Sequence, residues 1–204
     1  MDEIENTLLK FLHLSEGLKN ELRNGRTSTE KKESVAEHTW RVSLMVFMFS
    51  RFLDQKICVE KALKIAIVHD LAELITGDKP YFVYEGHQAS KQDKFEQELN
   101  AMKHLQSLLP ESIGTEFLEL WKEYEQGETY EAKFVKAIDK IEAQIQHNEM
   151  SYTYWNDYDR KYAPTRLDKY CNFDSFLTKV KTLVQEESMQ KIASSQPVNE
   201  SCAP

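Results

Sequence analysis

Ala62-Leu63-Lys64-Ile65-Ala66-Ile67-Val68-His69-Asp70-Leu71-Ala72-Glu73-Leu74-Ile75, residues 62–75, is the stretch whose reading decides the fold. Ala62, Leu63, Ile65, Ala66, Ile67, Val68, Leu71, Ala72, Leu74 and Ile75 would cover nearly every face of a helix, which predicts a central one. Its second half carries His69, Asp70 and Glu73. Burying even a neutral polar group without a partner costs on the order of 2–7 kcal/mol, so these three demand partners. On a continuous helix adjacent residues point about 100° apart, so His69 and Asp70 reach one point beside it, with Glu73 on the same side.

The preceding helix repeats the conflict. Ser34-Val35-Ala36-Glu37 is a capping box that starts it and puts His38 in its first turns. His38 lies on the line of Val42, Met45, Phe49 and Phe52, at steps of three and four, which is a core-facing line. A third case is Asp139, beside the stripe of Phe134, Ile138, Ile141 and Ile145. Three helices distant in sequence thus each offer a metal-capable group, and one shared divalent cation would satisfy all of them. Each residue also has a plainer reading: a core histidine held by hydrogen bonds, a carboxylate paired with a neighbouring lysine, a helical bundle with private polar pairs.

Working outward, helices are predicted over about 3–22, 35–53, 60–76, 87–109, 112–126, 130–151 and 173–191, because the 3.6-residue period recurs and polar–apolar alternation is nearly absent. The fold class is all-α. Thr76-Gly77-Asp78-Lys79-Pro80 should close the central helix and open a turn. Residues 151–172, with Tyr152, Tyr154, Trp155, Tyr158, Tyr162 and Pro164, break the helical pattern but are too aromatic for a solvated linker. His13, His87, His104 and His147 lack comparable surroundings and read as surface or structural residues, and the acid-rich stretch Glu116 to Glu131 as a solvated face. The expected division is one domain over 1–187 and a polar, disordered tail over 188–204.

The 204 residues suit one core, with 41% hydrophobic and 29% charged. A net charge of −8 leaves no basic stripe for a nucleic-acid duplex, whereas a small anionic substrate would need a local cation. Cys58, Cys171 and Cys202 form no CxxC pair, which argues against a disulfide framework or thiolate zinc site and for a reducing, cytoplasmic setting. Met1 to Lys10 has no apolar signal core and no run reaches the roughly 18 apolar residues of a membrane span, so a soluble, unprocessed protein is expected.

Taken together, Glu33-Ser34-Val35-Ala36-Glu37-His38-Thr39-Trp40-Arg41, then His69-Asp70-Leu71-Ala72-Glu73-Leu74-Ile75-Thr76-Gly77-Asp78-Lys79-Pro80, then Ala137-Ile138-Asp139-Lys140-Ile141 resemble the HD-domain metal-dependent phosphohydrolases, closest to the 5'-deoxynucleotidase branch. The resemblance implies a bundle of five or more core helices, usually a homodimer, with His38, His69, Asp70 and Asp139 holding one divalent ion. It also implies Glu73 as acid/base residue, Asp78 as the carboxylate that meets the sugar 3'-hydroxyl, and Arg23 as the phosphate-binding arginine. The next position departs: it is Asn24 where many relatives carry Trp, followed by an unusual Gly25-Arg26-Thr27-Ser28. Such a nitrogen and oxygen ligand set suits Mn, Co, Fe, Ni, Zn or Mg. The substrate implied is a deoxyribonucleoside 5'-monophosphate; the rival readings are another HD-type nucleotide phosphohydrolase or phosphodiesterase, and a metal-stabilised nucleotide-binding module without turnover.

Overall fold

The computed structural model describes residues 2–79 and 88–195. In chain order they form α1 (Asp2–Ser15), α2 (Gly17–Asn20), β1 (Leu22–Arg26), β2 (Lys32–Ser34), α3 (Val35–Phe49), α4 (Val59–Val68), α5 (Glu73–Thr76), α6 (Gln88–Ser107), α7 (Glu111–Gln126) and α8 (Tyr130–Glu149). A 3-10 turn at Tyr152–Tyr154 leads to α9 (Asp157–Tyr162), α10 (Asp168–Cys171) and α11 (Ser175–Ser195). The all-α expectation holds, with one antiparallel two-strand ribbon among the described residues.

Helix α8 is the hub. The Thr129 hydroxyl accepts from the Ala132 amide to start it, and α3, α4, α7, α10 and α11 pack around it. Its Phe134, Val135, Ala137, Ile138 and Ile141 are fully buried, and each of the four larger side chains contributes about 1.5–3 kcal/mol. The predicted capping box starts α3: the Ser34 hydroxyl accepts from the Glu37 amide while the Glu37 carboxylate accepts from the Ser34 amide. Val35, His38, Val42, Met45 and Val46 follow as its inward face.

Several expectations need correction. The helix predicted over 3–22 ends at Ser15 and gives way to α2 and the ribbon, where Leu22 pairs with Ser34 and Arg26 with Lys32. The helix predicted over 35–53 ends at Phe49. That over 60–76 is broken between Val68 and Glu73, and Ile67 is 54% exposed, so α4 is buried on one side rather than all round. The break has a local cause. Nδ1 of His69 donates to the Ala66 carbonyl at 2.7 Å, in competition with the Asp70 amide that would continue the helix. The chain tightens there, with Leu71 bonding to Val68 and Glu73 to Asp70 at three-residue steps.

The tail expected over 188–204 does not start at Ser188: α11 continues to Ser195, and Ser188 is buried and donates to Asn148 Oδ1 at 2.8 Å. His87 and residues 196–204 lie outside the described residues. In the aromatic segment, Trp155 is buried and its indole donates to the His147 carbonyl at 2.8 Å. Tyr154 supports the ribbon, its ring 4.5 Å from the Arg26 guanidinium. No helix among the described residues is long and apolar enough to cross a membrane.

Candidate metal centre

His38 comes from the first turn of α3, His69 and Asp70 from the broken turn after α4, and Asp139 from mid-α8. His38, His69 and Asp139 are 0%, 3% and 4% exposed, and their donor atoms all lie within 4.8 Å of one another. His38 Nε2 lies 3.3 Å from Asp139 Oδ1 and 3.7 Å from Asp70 Oδ2, while His69 Nε2 lies 3.2 Å from that Asp70 oxygen. His38 Nε2, His69 Nε2 and Asp70 Oδ2 are buried with no hydrogen-bond partner.

Three unpartnered buried atoms aimed at one point are costly in an apolar core. A shared cation removes the cost. Donors about 2.1 Å from one octahedral ion sit about 3 Å apart at adjacent corners, near the separations found. The ring nitrogens are also prepared. The Ala66 carbonyl can only accept, so His69 must carry its proton on Nδ1 and leave the Nε2 lone pair facing the cluster. His38 Nδ1 donates to Glu142 in a short bond, which points its Nε2 the same way. Asp139 is steadied on its other oxygen by the Tyr124 hydroxyl at 2.6 Å and the Lys140 ammonium at 2.8 Å. The residues present therefore suit a divalent metal.

A second acidic grouping, Glu33, His38 and Glu142, is equally buried. Its shared imidazole nitrogen already donates to Glu142, so it has no lone pair to offer an ion on that side. Glu33 pairs with Arg23 Nε at 3.4 Å; its carboxyl is pushed up to about 7, burial and Glu142 raising it and Arg23 opposing.

Arg23 extends from β1 to the rim, with Nη1 3.6 Å from Asp70 Oδ2. Burial favours loss of its charge, but Asp70, Asp78, Asp139 and Glu142 outweigh that and hold its pKa above the usual value. Glu73, the first residue of α5, is 7% exposed, and its Oε2 has no partner. Burial, reinforced by Asp70 and Asp78, pushes its carboxyl up to about 10.

Asp78 follows Gly77, whose φ of 71° and ψ of 157° lie in a region essentially confined to glycine. That turn lets the Asp78 amide donate to Glu21 Oε1 at 2.9 Å. A Cβ on Gly77 would lie 3.3 Å from the same Glu21 oxygen. Gly77→Ala is therefore expected to cost about 1–3 kcal/mol of stability and to displace Asp78. Chemical denaturation should show a lower midpoint at an unchanged slope; an unchanged midpoint would mean the turn is not strained by a side chain.

With no cation bound, His38 is held up at about 9: burial and Arg23 favour loss of its proton, but Glu142 and Asp139 prevail. An ion needs the neutral ring, so below that pKa each binding event must expel the proton. Divalent-ion binding is expected to release about one proton and to tighten roughly tenfold per pH unit from about pH 7 towards 9, then level off. Titrating Mn²⁺ into the full chain in buffers of different ionisation enthalpy reads the release. A pH-independent affinity would contradict it.

The structure brings all seven candidates into one neighbourhood, with Arg23 on a strand that was not predicted and Glu73 on a short helix rather than on the long helix expected over 60–76. Sequence reasoning missed Glu33, Glu142 and Tyr124. Glu142 carried a usable signal, since it lies four residues after Ile138, in the stripe that faces the core. Tyr124 sits inside the stretch read as a solvated face, where Trp121 is buried as well.

This helical bundle with a buried histidine and aspartate cluster is the architecture of a metal-dependent hydrolase, and the comparisons agree. The HD domain model matches residues 15–181, and the chain belongs to that family. It is 38% identical over 142 residues to the 5'-deoxynucleotidase HDDC2 of Xenopus laevis, covering 69% of this chain and 67% of the other. It is 39% identical over 144 residues to the Mus musculus protein of the same name, covering 70% and 69%. Among solved structures, a predicted metal-dependent phosphohydrolase from Magnetospirillum magnetotacticum superposes with a TM-score of 0.76 at 24% identity, over 92% of this chain and 96% of that one; this likeness concerns the fold.

Proposed function

We propose that the chain is a divalent-metal-dependent phosphomonoester hydrolase that converts deoxyribonucleoside 5'-monophosphates to deoxynucleoside and phosphate. The observation that carries the reading is the convergence of unpartnered His38 Nε2, His69 Nε2 and Asp70 Oδ2 beside Asp139, with Arg23 and Glu73 at the rim. The names of the relatives support the substrate class.

In this reading His38, His69, Asp70 and Asp139 hold the ion, which is Mn, Co, Fe, Ni, Zn or Mg. When bound, a divalent cation supplies Lewis acidity, drawing charge from a phosphoryl oxygen and making water a competent nucleophile at neutral pH. The planar Arg23 guanidinium binds the phosphoryl oxygens and meets the charge that builds on them. Glu73, with one carboxyl oxygen free of partners, moves the proton between attacking water and the departing 5'-oxygen. Asp78 accepts from the sugar hydroxyl, and its charge disfavours a second phosphate nearby.

A phosphate-release assay across deoxy- and ribonucleoside monophosphates, triphosphates and cyclic nucleotides, each with several divalent ions, tests this. Turnover of deoxynucleoside 5'-monophosphates that a chelator abolishes is the expected result. Turnover of triphosphates or cyclic nucleotides alone would favour another HD-type hydrolase, and metal uptake with no turnover a binding module.

The protein is further read as a cytoplasmic homodimer. Trp40, Leu44, Phe47 and Met48 form one exposed apolar stripe on α3, between 40% and 65% exposed. Glu37 lies in the first turn of α3 and Arg51 just past its C-terminal end, so antiparallel pairing of two copies would set the acid of one towards the guanidinium of the other. Sedimentation at micromolar concentration should give a dimer mass, and a monomer mass would rule the pairing out.

A further inference from the structure

Arg41 lies one turn after His38 on α3 and spends its donors in three directions. Nε donates to Glu142 Oε1, Nη2 to Gln146 Oε1 and Nη1 to Glu149 Oε2, each at 2.7 Å. Glu142 in turn accepts from His38 Nδ1. Gln146 is 4% exposed, and its amide nitrogen donates to the Arg26 main-chain carbonyl. One continuous run of hydrogen bonds therefore leads from the His38 imidazole through Glu142, Arg41 and Gln146 to the backbone of β1, the strand that carries Arg23.

The contact is close because the strand is bare where it meets α8. A Cβ on Gly25 would lie 3.2 Å from Gln146 Cγ and 3.3 Å from Glu33 Oε2. A ribbon of five and three residues is marginal by itself; β2 packs on α2 and α3, and Arg26, at the end of β1, meets the exposed ring of Tyr154. Both ends of the buried Gln146 amide are taken, so its orientation is fixed and the height of β1 over α8 is fixed with it.

We propose that Arg41 and Gln146 are positioning residues that seat β1, and with it the Arg23 guanidinium, from the same carboxylate that orients the His38 imidazole. This rests on the reading that His38 holds the ion and Arg23 the phosphate. Neither Arg41 nor Gln146 touches the ion or the substrate. Their effect passes through Glu142 on one side and the Arg26 carbonyl on the other.

Gln146→Glu keeps the shape and the acceptor for Arg41 but loses the donor to Arg26. In the full chain it is expected to speed amide exchange across residues 22–34 about tenfold, the worth of one hydrogen bond, and to raise KM for a deoxynucleoside monophosphate by a similar factor. Turnover number and Mn²⁺ affinity should stay within about twofold. Arg41→Lys, which keeps the charge but not the fork, should loosen the same amides and also weaken Mn²⁺ binding about tenfold through Glu142. Glu149→Gln, at the exposed arm, should leave all of these readings unchanged.

Ribbon exchange equal to wild type in both Gln146→Glu and Arg41→Lys would overturn the proposal, as would a loss of turnover number at constant KM. A merely structural role would instead raise exchange throughout, including α11. If the unaltered protein turned over no nucleotide, the function reading would fail by itself, since the exchange and Mn²⁺ readings do not depend on activity.

Discussion

Asp70→Ala protein is expected to purify without a stoichiometric divalent ion and to release phosphate at least about a thousand times more slowly than the unaltered chain, since cation stabilisation of phosphoryl charge is worth several kcal/mol. Asp70 Oδ2 lies 3.2 Å from His69 Nε2 and 3.6 Å from Arg23 Nη1. Its loss therefore empties one corner of the cluster and frees the arginine from its partner there. Burial opposes ionisation of this carboxyl, yet the His69 and His38 rings hold its pKa well below the usual range, so it is a charged group that alanine deletes. Metal analysis by mass spectrometry and a phosphate assay read the two losses separately. Normal metal content with near-normal rates would remove the proposed chemistry.

Glu73→Gln should behave differently. The amide keeps the volume and burial of the side chain but cannot carry the proton, and proton transfer by a placed side chain is worth about 10²–10⁴ in rate. Turnover number should fall by that factor while the ion remains, because Glu73 is not among the four donors. The carboxyl's upward shift, from burial first and then Asp70 and Asp78, fits a group able to hold a proton in a neutral solution. A Glu73→Gln enzyme that loses its metal would instead identify Glu73 as a ligand.

The four-donor cluster was legible because each donor violates a local rule. His38, Asp139 and the His69-Asp70 pair stand on or beside apolar stripes, and a polar residue there must be answered by something. Asp78 was pointed to only by the family resemblance; the local sequence announced the turn at Gly77, which ends α5, but not a role for the carboxylate after it. The ribbon was not legible. Leu22–Arg26 and Lys32–Ser34 are short and lack alternation, and their extended form depends on α8, through Gln146 and the bare Gly25, a contact that no local pattern encodes. The break after Val68 was hidden for the opposite reason. The apolar period runs on through Leu71, Ala72, Leu74 and Ile75, and the competitor for the Ala66 carbonyl is a side chain three residues ahead. Glu142 was missed although it stands in the apolar stripe four residues after Ile138, because a glutamate in a helix is usually taken for a surface residue.

The two imidazoles of the cluster are kept in register by unlike guardians. His38 is held by Glu142, which a single codon change can erase. His69 is held by the peptide oxygen of Ala66, which every amino acid at that position supplies. Drift along a lineage can therefore retune the first ring, shifting which ion is preferred, while the second stays anchored for as long as the chain keeps its path.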